Sequence, residues 1–441
     1  VQVAEALTIA VDQLRVGQYI HLDMKWFEHP FPFSHFKIKS EAQIKEIKAL
    51  GLKCIRINPD LSDPVAPVSD VATTRPLSDT SAETVAMPVT PSAADTACEP
   101  SPIMQAKRAM LSRMREQRVQ AERIENAFVD TVGIIRNIEK ELYSRPQETV
   151  TQATRLVKQI ADSILSAPEL AIQVMNDKLG GEDLYFHSLN VTMLALMMAR
   201  DLNMPPDAAG VLGLGALLHD IGRKEVPGKV LLKTEPLTPA ERKLFEMHPL
   251  FGVEIAQHMK LATPVIAIIR EHHEYNDGSG YPNQLQGVAI NPLARLVVIA
   301  NHYDELCNPA NLADALTPHE ALSLMFAKLR PKFDGKFLQV LIRCLGVYPP
   351  GTIVQLSNGA LGMVVTVNTA KPMKPVVMVY DPEVPKDEAI YLDMESEQEV
   401  SIAKAIRPIQ IAREAYNYLS PRKRVSYYFD ASSKRPQGDK K

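Results

Sequence analysis

Five histidines and an aspartate fall where apolar helical stripes would otherwise run unbroken, and this placement limits what the chain can fold into. From about residue 147 to 345 the pattern is helical throughout. Its apolar helices are 189–202 (LNVTMLALMMARDL), 208–222 (AAGVLGLGALLHDIG), 238–259, 262–274 and 292–306. His187 opens the first, His219-Asp220 ends the run GALL in the second, and His248 follows LFEM in the third. His272-His273 follow AIIRE in the fourth, and Asn301 and Asp304 interrupt LVVIANHYDEL in the fifth. One histidine on an apolar face is ordinarily a hydrogen-bonded core residue. A buried polar group left unsatisfied costs about 1–3 kcal/mol, so polar residues recurring at comparable positions of successive helices are better explained by one shared metal centre.

The residue types agree with that reading. Imidazole nitrogens and carboxylate oxygens suit iron, manganese, nickel or zinc. An aspartate beside a histidine can offer two oxygens and bridge two ions. Ions about 3.5–4 Å apart lower the pKa of a bridging water and hold both attacking and leaving oxygens, a common device for phosphodiester hydrolysis. Residue chemistry alone therefore points to a helical, binuclear, metal-dependent hydrolase.

Other segments differ in texture. Residues 1–60 read as a small α/β unit, with strands over 16–24, 35–40 and 54–58 and a helix over 40–51 that opens on Ser40 and closes on Gly51. Residues 61–103, rich in Pro, Ser, Thr, Ala and Asp, read as a disordered linker. A long helix follows over 104–146, in which Met110, Met114, Gln117, Ala121, Ile124, Phe128, Thr131, Ile135, Ile138 and Leu142 recur at spacings of four and three. Such a heptad seam serves a parallel homodimer or packs on its own domain; Pro146 stops or kinks the helix. Thr238-Pro239 and Asn291-Pro292 read as capped helix starts. After 345 the pattern turns to strands around an Asn358-Gly359 turn, giving a β subdomain over 346–400, then a helix over 401–418 and a polar tail to 441. The fold class expected is multidomain and mainly α, with a small α/β N-terminal domain and a small β C-terminal subdomain.

Composition narrows the partners. The net charge of −3 over 441 residues gives no reason to expect a nucleic acid polymer as partner; Arg422, Lys423 and Arg424 read as a solvated tail. No apolar run approaches the roughly 20 residues that span a bilayer, and the first residues lack the basic and apolar regions of a signal peptide. Cys54, Cys98, Cys307 and Cys344 are far apart, as reduced thiols of a cytoplasmic protein would be.

The ordered set of His187, HDIG at 219–222, MHPLFGVEIA from 247, then HHE and DGSGYP from 272 to 282 resembles the HD-GYP family, a branch of the HD phosphohydrolases that cleave cyclic di-GMP. The resemblance spans about 150–345; GVYPPGTIVQLSNG at 346–359 is similar to a β extension in many members, and the first 60 residues to a small N-terminal domain in one subgroup. It implies an HD-type helical bundle over 147–345, with His187, His219, Asp220, His248, His272 and His273 as metal ligands and Asp220 as the bridging carboxylate. The last family ligand, an Asp, falls on Asn301, which brings a carbonyl oxygen but no charge. Asp304 reads instead as a structural hydrogen-bonding residue. The phosphate-binding Lys of the family falls on Arg223, followed by Lys224, and a second phosphate-binding Arg falls on Ala310. Asp183, where some members have a Glu that binds a third ion, is either that ligand or an exposed helix-start acid.

The activity implied is hydrolysis of cyclic di-GMP to pGpG and onward to GMP. Asp220 and the histidines hold two or three ions (Fe, Mn, Ni or Zn), Arg223 stabilises charge on phosphate, and Tyr281 on the GYP loop contacts the nucleotide. The departures at Asn301, Arg223 and Ala310 keep a second reading open, a cyclic di-GMP receptor or a scaffold that holds a GGDEF-type cyclase through the GYP loop. A third keeps hydrolysis and makes the linear dinucleotide the substrate.

Overall fold

The computed structural model describes residues 7–63, 104–112, 131–166 and 183–419, apart from short gaps and single positions within those ranges. The expected linker from 64 onward, the middle of the long helix and the tail from 420 lie outside the described residues. Two compact units divide the chain, residues 1–112 and 113–441.

The first unit is α/β, as expected. Strands β1 (Leu7–Ala10), β2 (Tyr19–His21), β3 (His35–Lys37) and β4 (Cys54–Asn58) form an antiparallel sheet in the order β1-β4-β2-β3. Helix α1 (Glu41–Ala49) starts at Ser40, whose Oγ accepts from Gln43 N. Ile44 and Ile47 turn inward onto Ile20, Ile55 and Phe31. Strand β1 was not expected: LTIA is too short to show a period, and it is a strand because β4 offers it an edge. Lys107 is buried in the same unit, its Nζ donating to the carbonyls of His29 and Phe31.

The second unit is built on helices. They are α2 (Pro146–Ser166), α3 (Asp183–Asp201), α4 (Pro206–Leu218), α5 (Gly228–Leu231), α6 (Pro239–Phe245), α7 (His248–His258), α8 (Thr263–Glu271), α9 (Pro292–Cys307), α10 (Pro318–Ala327) and α11 (Gly335–Leu345). From Leu189 to Ala199 every residue of α3 is buried, as a helix apolar on all sides must be, with α2, α4, α9 and α11 around it. Pro146 opens α2 rather than kinking a longer helix, because a proline at the first helical position gives up only an amide that has no intrahelical partner. Ile135, Ile138 and Leu142, the last apolar positions of the heptad seam, are buried in this same core. That end of the seam packs on its own domain.

The stretch 238–259 is two helices, not one. A Thr238–Glu241 capping box opens α6 and Pro249 separates it from α7: proline has no N–H to give to the carbonyl four residues back, that of Phe245. This break shapes the site below.

The C-terminal sheet has strands β5 (Ile353–Leu356), β6 (Leu361–Thr366), β7 (Val376–Val379), β8 (Ile390–Asp393) and β9 (Ile402–Ile406), all antiparallel, in the order β8-β7-β6-β5-β9. The Asn358-Gly359 turn joins β5 to β6, with Gly359 at φ +86°. The helix expected over 401–418 is corrected: residues 402–406 form the edge strand on β5, and only Arg413–Leu419 is helical (α12). The sheet thus extends past the expected boundary at 400, since pairing with β5 overrides the weak local preference of IAKAI. Among the described residues no helix is long and apolar enough to cross a membrane.

Candidate metal centre

Helix ends position most of the histidines. The last four carbonyls of any α-helix lack intrahelical partners, and three histidines use one. His219, at the end of α4, donates Nδ1–H to Ala216 O at 2.7 Å, and His272, at the end of α8, to Ile269 O at 2.7 Å. His248 donates Nδ1–H to Phe245 O at 2.8 Å, the carbonyl that Pro249 leaves unpaired. A carbonyl only accepts, so each contact puts the proton on Nδ1 and leaves the Nε2 lone pair free to face inward. His187 reaches the same state differently, with Nδ1 2.7 Å from Asp304 Oδ2. Asn190 and Asn308 donate to the other oxygen of Asp304, so the residue read as structural orients a candidate ligand.

Asp220 is the shared element. Its Oδ1 lies 3.3 Å from His248 Nε2 and 3.5 Å from His272 Nε2, and its Oδ2 lies 3.4 Å from His219 Nε2 and 3.6 Å from His187 Nε2. Two donor sets result, Asp220 with His248, His272 and His273, and Asp220 with His187 and His219. Both Asp220 oxygens and His273 Nε2 are buried with no hydrogen-bond partner. His219 and His187 bring their Nε2 atoms within 3.3 Å, His248 and His272 within 3.1 Å. Lone pairs this close repel unless a cation lies among them, so the residues present fit divalent metal ions.

The electrostatics agree. Burial, helped by its histidine neighbours, pushes His272 down to about 3 and holds His273 well below the usual imidazole range, so both stay neutral and able to ligate. Burial would raise Asp220, but Arg223 and His219 outweigh it and hold the carboxyl well below its ordinary value. His187 is also opposed by burial, yet its bond to Asp304 raises it.

Two glycines set the close approaches. A Cβ on Gly222, in HDIG, would lie 2.0 Å from His248 O and 2.3 Å from Gly252 N, so only glycine lets α7 pack against the turn after Asp220. A Cβ on Gly280 would lie 2.4 Å from His273 O and Tyr275 N. The loop folds back here, Tyr281 N donating to His273 O, and the Tyr281 ring stacks on His273 at 4.5 Å and 20°. Glu274 anchors the far side by accepting from the amides of Asn283 and Leu285.

The remaining expected residues divide. Arg223 Nε is 3.0 Å from Asp220 Oδ2, with its guanidinium over the Phe245 ring. Lys224 places its ammonium 5.2 Å from the centre of the Tyr143 ring. Asn301 is buried, its Oδ1 has no partner and its Nδ2 donates to Glu305. The side chain of Asp183 and all of Ala310 lie outside the described residues. Sequence reasoning missed Gly222, Glu274 and Glu305. Gly222 had a signal, a glycine just after the helix-ending His219-Asp220; the carboxylates become meaningful only once their distant partners are known.

Residues 139–337 match the family profile described as "HD domain", 6–153 a domain of unknown function (DUF3391), and 353–414 a "KOW domain associated with HD domain". A cyclic di-GMP phosphodiesterase of Pseudomonas aeruginosa is 28% identical over 383 residues, 84% of either chain. The cyclic di-GMP phosphodiesterase response regulator RpfG of Xanthomonas campestris is 33% identical over 153 residues, 34% of this chain and 40% of that protein. Among solved structures, an HDG"Y"P protein from Bdellovibrio bacteriovorus aligns at 18% identity over 76% of this chain and 98% of its own, with a TM-score of 0.42. With HDIG, HHE and GYP in order around one His/Asp centre, the chain carries an HD domain over residues 139–337, together with a DUF3391 domain matched over 6–153, and in these motifs it is similar to the HD-GYP family.

Proposed function

We propose that this chain hydrolyses cyclic di-GMP to the linear dinucleotide pGpG, and pGpG onward to GMP. The observation that carries this is Asp220, a buried carboxylate with one oxygen toward each of two histidine sets and neither oxygen hydrogen-bonded. The names of the two curated relatives supply the substrate. His187 and His219 would hold one ion, His248, His272 and His273 the other, and Asp220 both, with Asn301 completing the first set. Ions held there supply charge neutralisation and an activated water for in-line attack at phosphorus. Manganese, iron, nickel and zinc all suit these donors; Asp183 is the candidate ligand for a third ion.

The residues around the ions do the rest. Arg223, held against Asp220 and Phe245, offers guanidinium N–H groups to the equatorial phosphate oxygens, where charge grows at the transition state. Burial raises the Tyr281 phenol, so it stays neutral and can donate a hydrogen bond to the nucleotide or stack on a base. Lys224, just after Arg223, meets phosphate only by leaving Tyr143. Asp304 keeps His187 in the tautomer that ligates.

A second reading rests on Asn301, which lowers the negative charge of the ligand set: a receptor that binds cyclic di-GMP without cleaving it, or a scaffold holding a GGDEF-type cyclase at the GYP loop. Cytoplasmic action and homodimerisation belong to the same proposal. Incubating purified protein with Mn(II) or Fe(II) and cyclic di-GMP decides between the readings. Release of pGpG supports the hydrolase; binding without turnover at full metal occupancy supports the receptor.

A further inference from the structure

Asn301 leaves the site short of one negative charge, and the structure places a carboxylate one helical turn away. Glu305 follows Asn301 by four residues on α9, so the two side chains share a face. Asn301 Nδ2 donates to Glu305 Oε1 at 3.3 Å. A carboxylate oxygen only accepts, so this contact decides which end of the amide faces Glu305. The other end, Oδ1, is then left buried and without a partner. The same Glu305 oxygen lies 4.0 Å from Arg223 Nη2, while Arg223 Nε lies 3.0 Å from Asp220 Oδ2. Asn301, Glu305, Arg223 and Asp220 thus form one chain of contacts. On the same helix Asp304, the residue next to Glu305, orients His187.

We infer that Asn301 and Glu305 together replace a single liganding carboxylate: Asn301 Oδ1 supplies the donor atom to the ion held by His187 and His219, and Glu305 supplies the charge. The physical basis is amide polarisation. An anionic acceptor on Nδ2 pushes electron density through the amide onto Oδ1 and makes it a better ligand. It also orients the group, as outer partners of metal ligands do. Glu305 is therefore a positioning residue, with a second effect on Arg223, which it holds between two carboxylates. This rests on the proposed binuclear centre but makes a claim that the centre alone does not.

The test is Mn(II) binding to the full chain without substrate, by calorimetry and metal analysis, in wild type, Glu305→Gln, Asn301→Asp and the double variant. Glu305→Gln keeps size and an acceptor but removes the charge. It is expected to weaken one of two Mn(II) sites about 10-fold or more and to leave the other unchanged. Asn301→Asp, which places the charge on the ligand itself, is expected to restore that site in the Glu305→Gln background. Circular dichroism melts verify that each variant folds. Mn(II) affinity in Glu305→Gln within twofold of wild type, or a double variant as weak as Glu305→Gln, overturns the inference and leaves the binuclear reading standing. Wild-type protein that binds no Mn(II) overturns both.

Discussion

Replacing Asp304 by Asn isolates one tautomer and, through it, one ion. Asp304 is 1% exposed; its Oδ2 lies 2.7 Å from His187 Nδ1, and its Oδ1 accepts from Asn190 at 2.8 Å and Asn308 at 2.9 Å. An Asn at 304 satisfies those two amides through its Oδ1 only by turning its NH2 toward His187. Nδ1 must then become the acceptor, and the proton moves to Nε2, the atom that faces His219 and Asp220. A protonated Nε2 cannot ligate. Loss of such a partner typically costs 10–100-fold in metal affinity, or about 1.4–2.7 kcal/mol. The loss should fall on the ion of His187 and His219 and spare that of His248, His272 and His273. Titrating metal-free wild type and Asp304→Asn with Mn(II) in a calorimeter resolves the two sites. Equal weakening of both sites, or of neither, refutes the orienting role.

Three further outcomes follow from the same geometry. Gly222→Ala puts a methyl 2.0 Å from His248 O, so it should destabilise the helical unit by about 3 kcal/mol or more; an unchanged melting temperature contradicts this. Tyr281→Ala removes the ring on His273. It should lower kcat/KM for cyclic di-GMP at least 10-fold while Mn(II) content stays at the wild-type value; metal loss instead would make Tyr281 structural. In the N-terminal unit, burial and then the Lys107 charge hold His29 down to about 3. The unfolded chain therefore takes up a proton below its ordinary value near 6.5 while the folded unit does not. The stability this gives is complete above that value and is lost as pH falls toward 3, by about 1.4 kcal/mol at pH 5.5. Urea unfolding followed by Trp26, the single tryptophan, should show this loss in wild type and not in His29→Leu.

The centre was legible in the sequence because its residues break a periodic background. His219, His248 and His272 stand out in apolar helices, and Asp220 stands beside one of them. Their fine placement was not legible. That His248 takes the carbonyl freed by Pro249 depends on a helix break hidden inside a continuous apolar pattern. Glu305 looks like any polar residue on a helix until Asn301 and Arg223 are seen around it. In the fold, the capped starts at Thr238 and Asn291 were readable from local chemistry. Strands β1 and β9 were not, since each exists through a partner distant in the chain. The heptad spacing was real but ambiguous, and the burial of Ile135, Ile138 and Leu142 settles its last turns in favour of self-packing.

The most direct test of the central claim pairs two readouts on one anaerobically purified sample, bound metal per chain and turnover of cyclic di-GMP. The account predicts two divalent ions per chain and release of pGpG, with turnover lost on chelation and regained on adding Mn(II) or Fe(II). Two bound ions with intact cyclic di-GMP would contradict it.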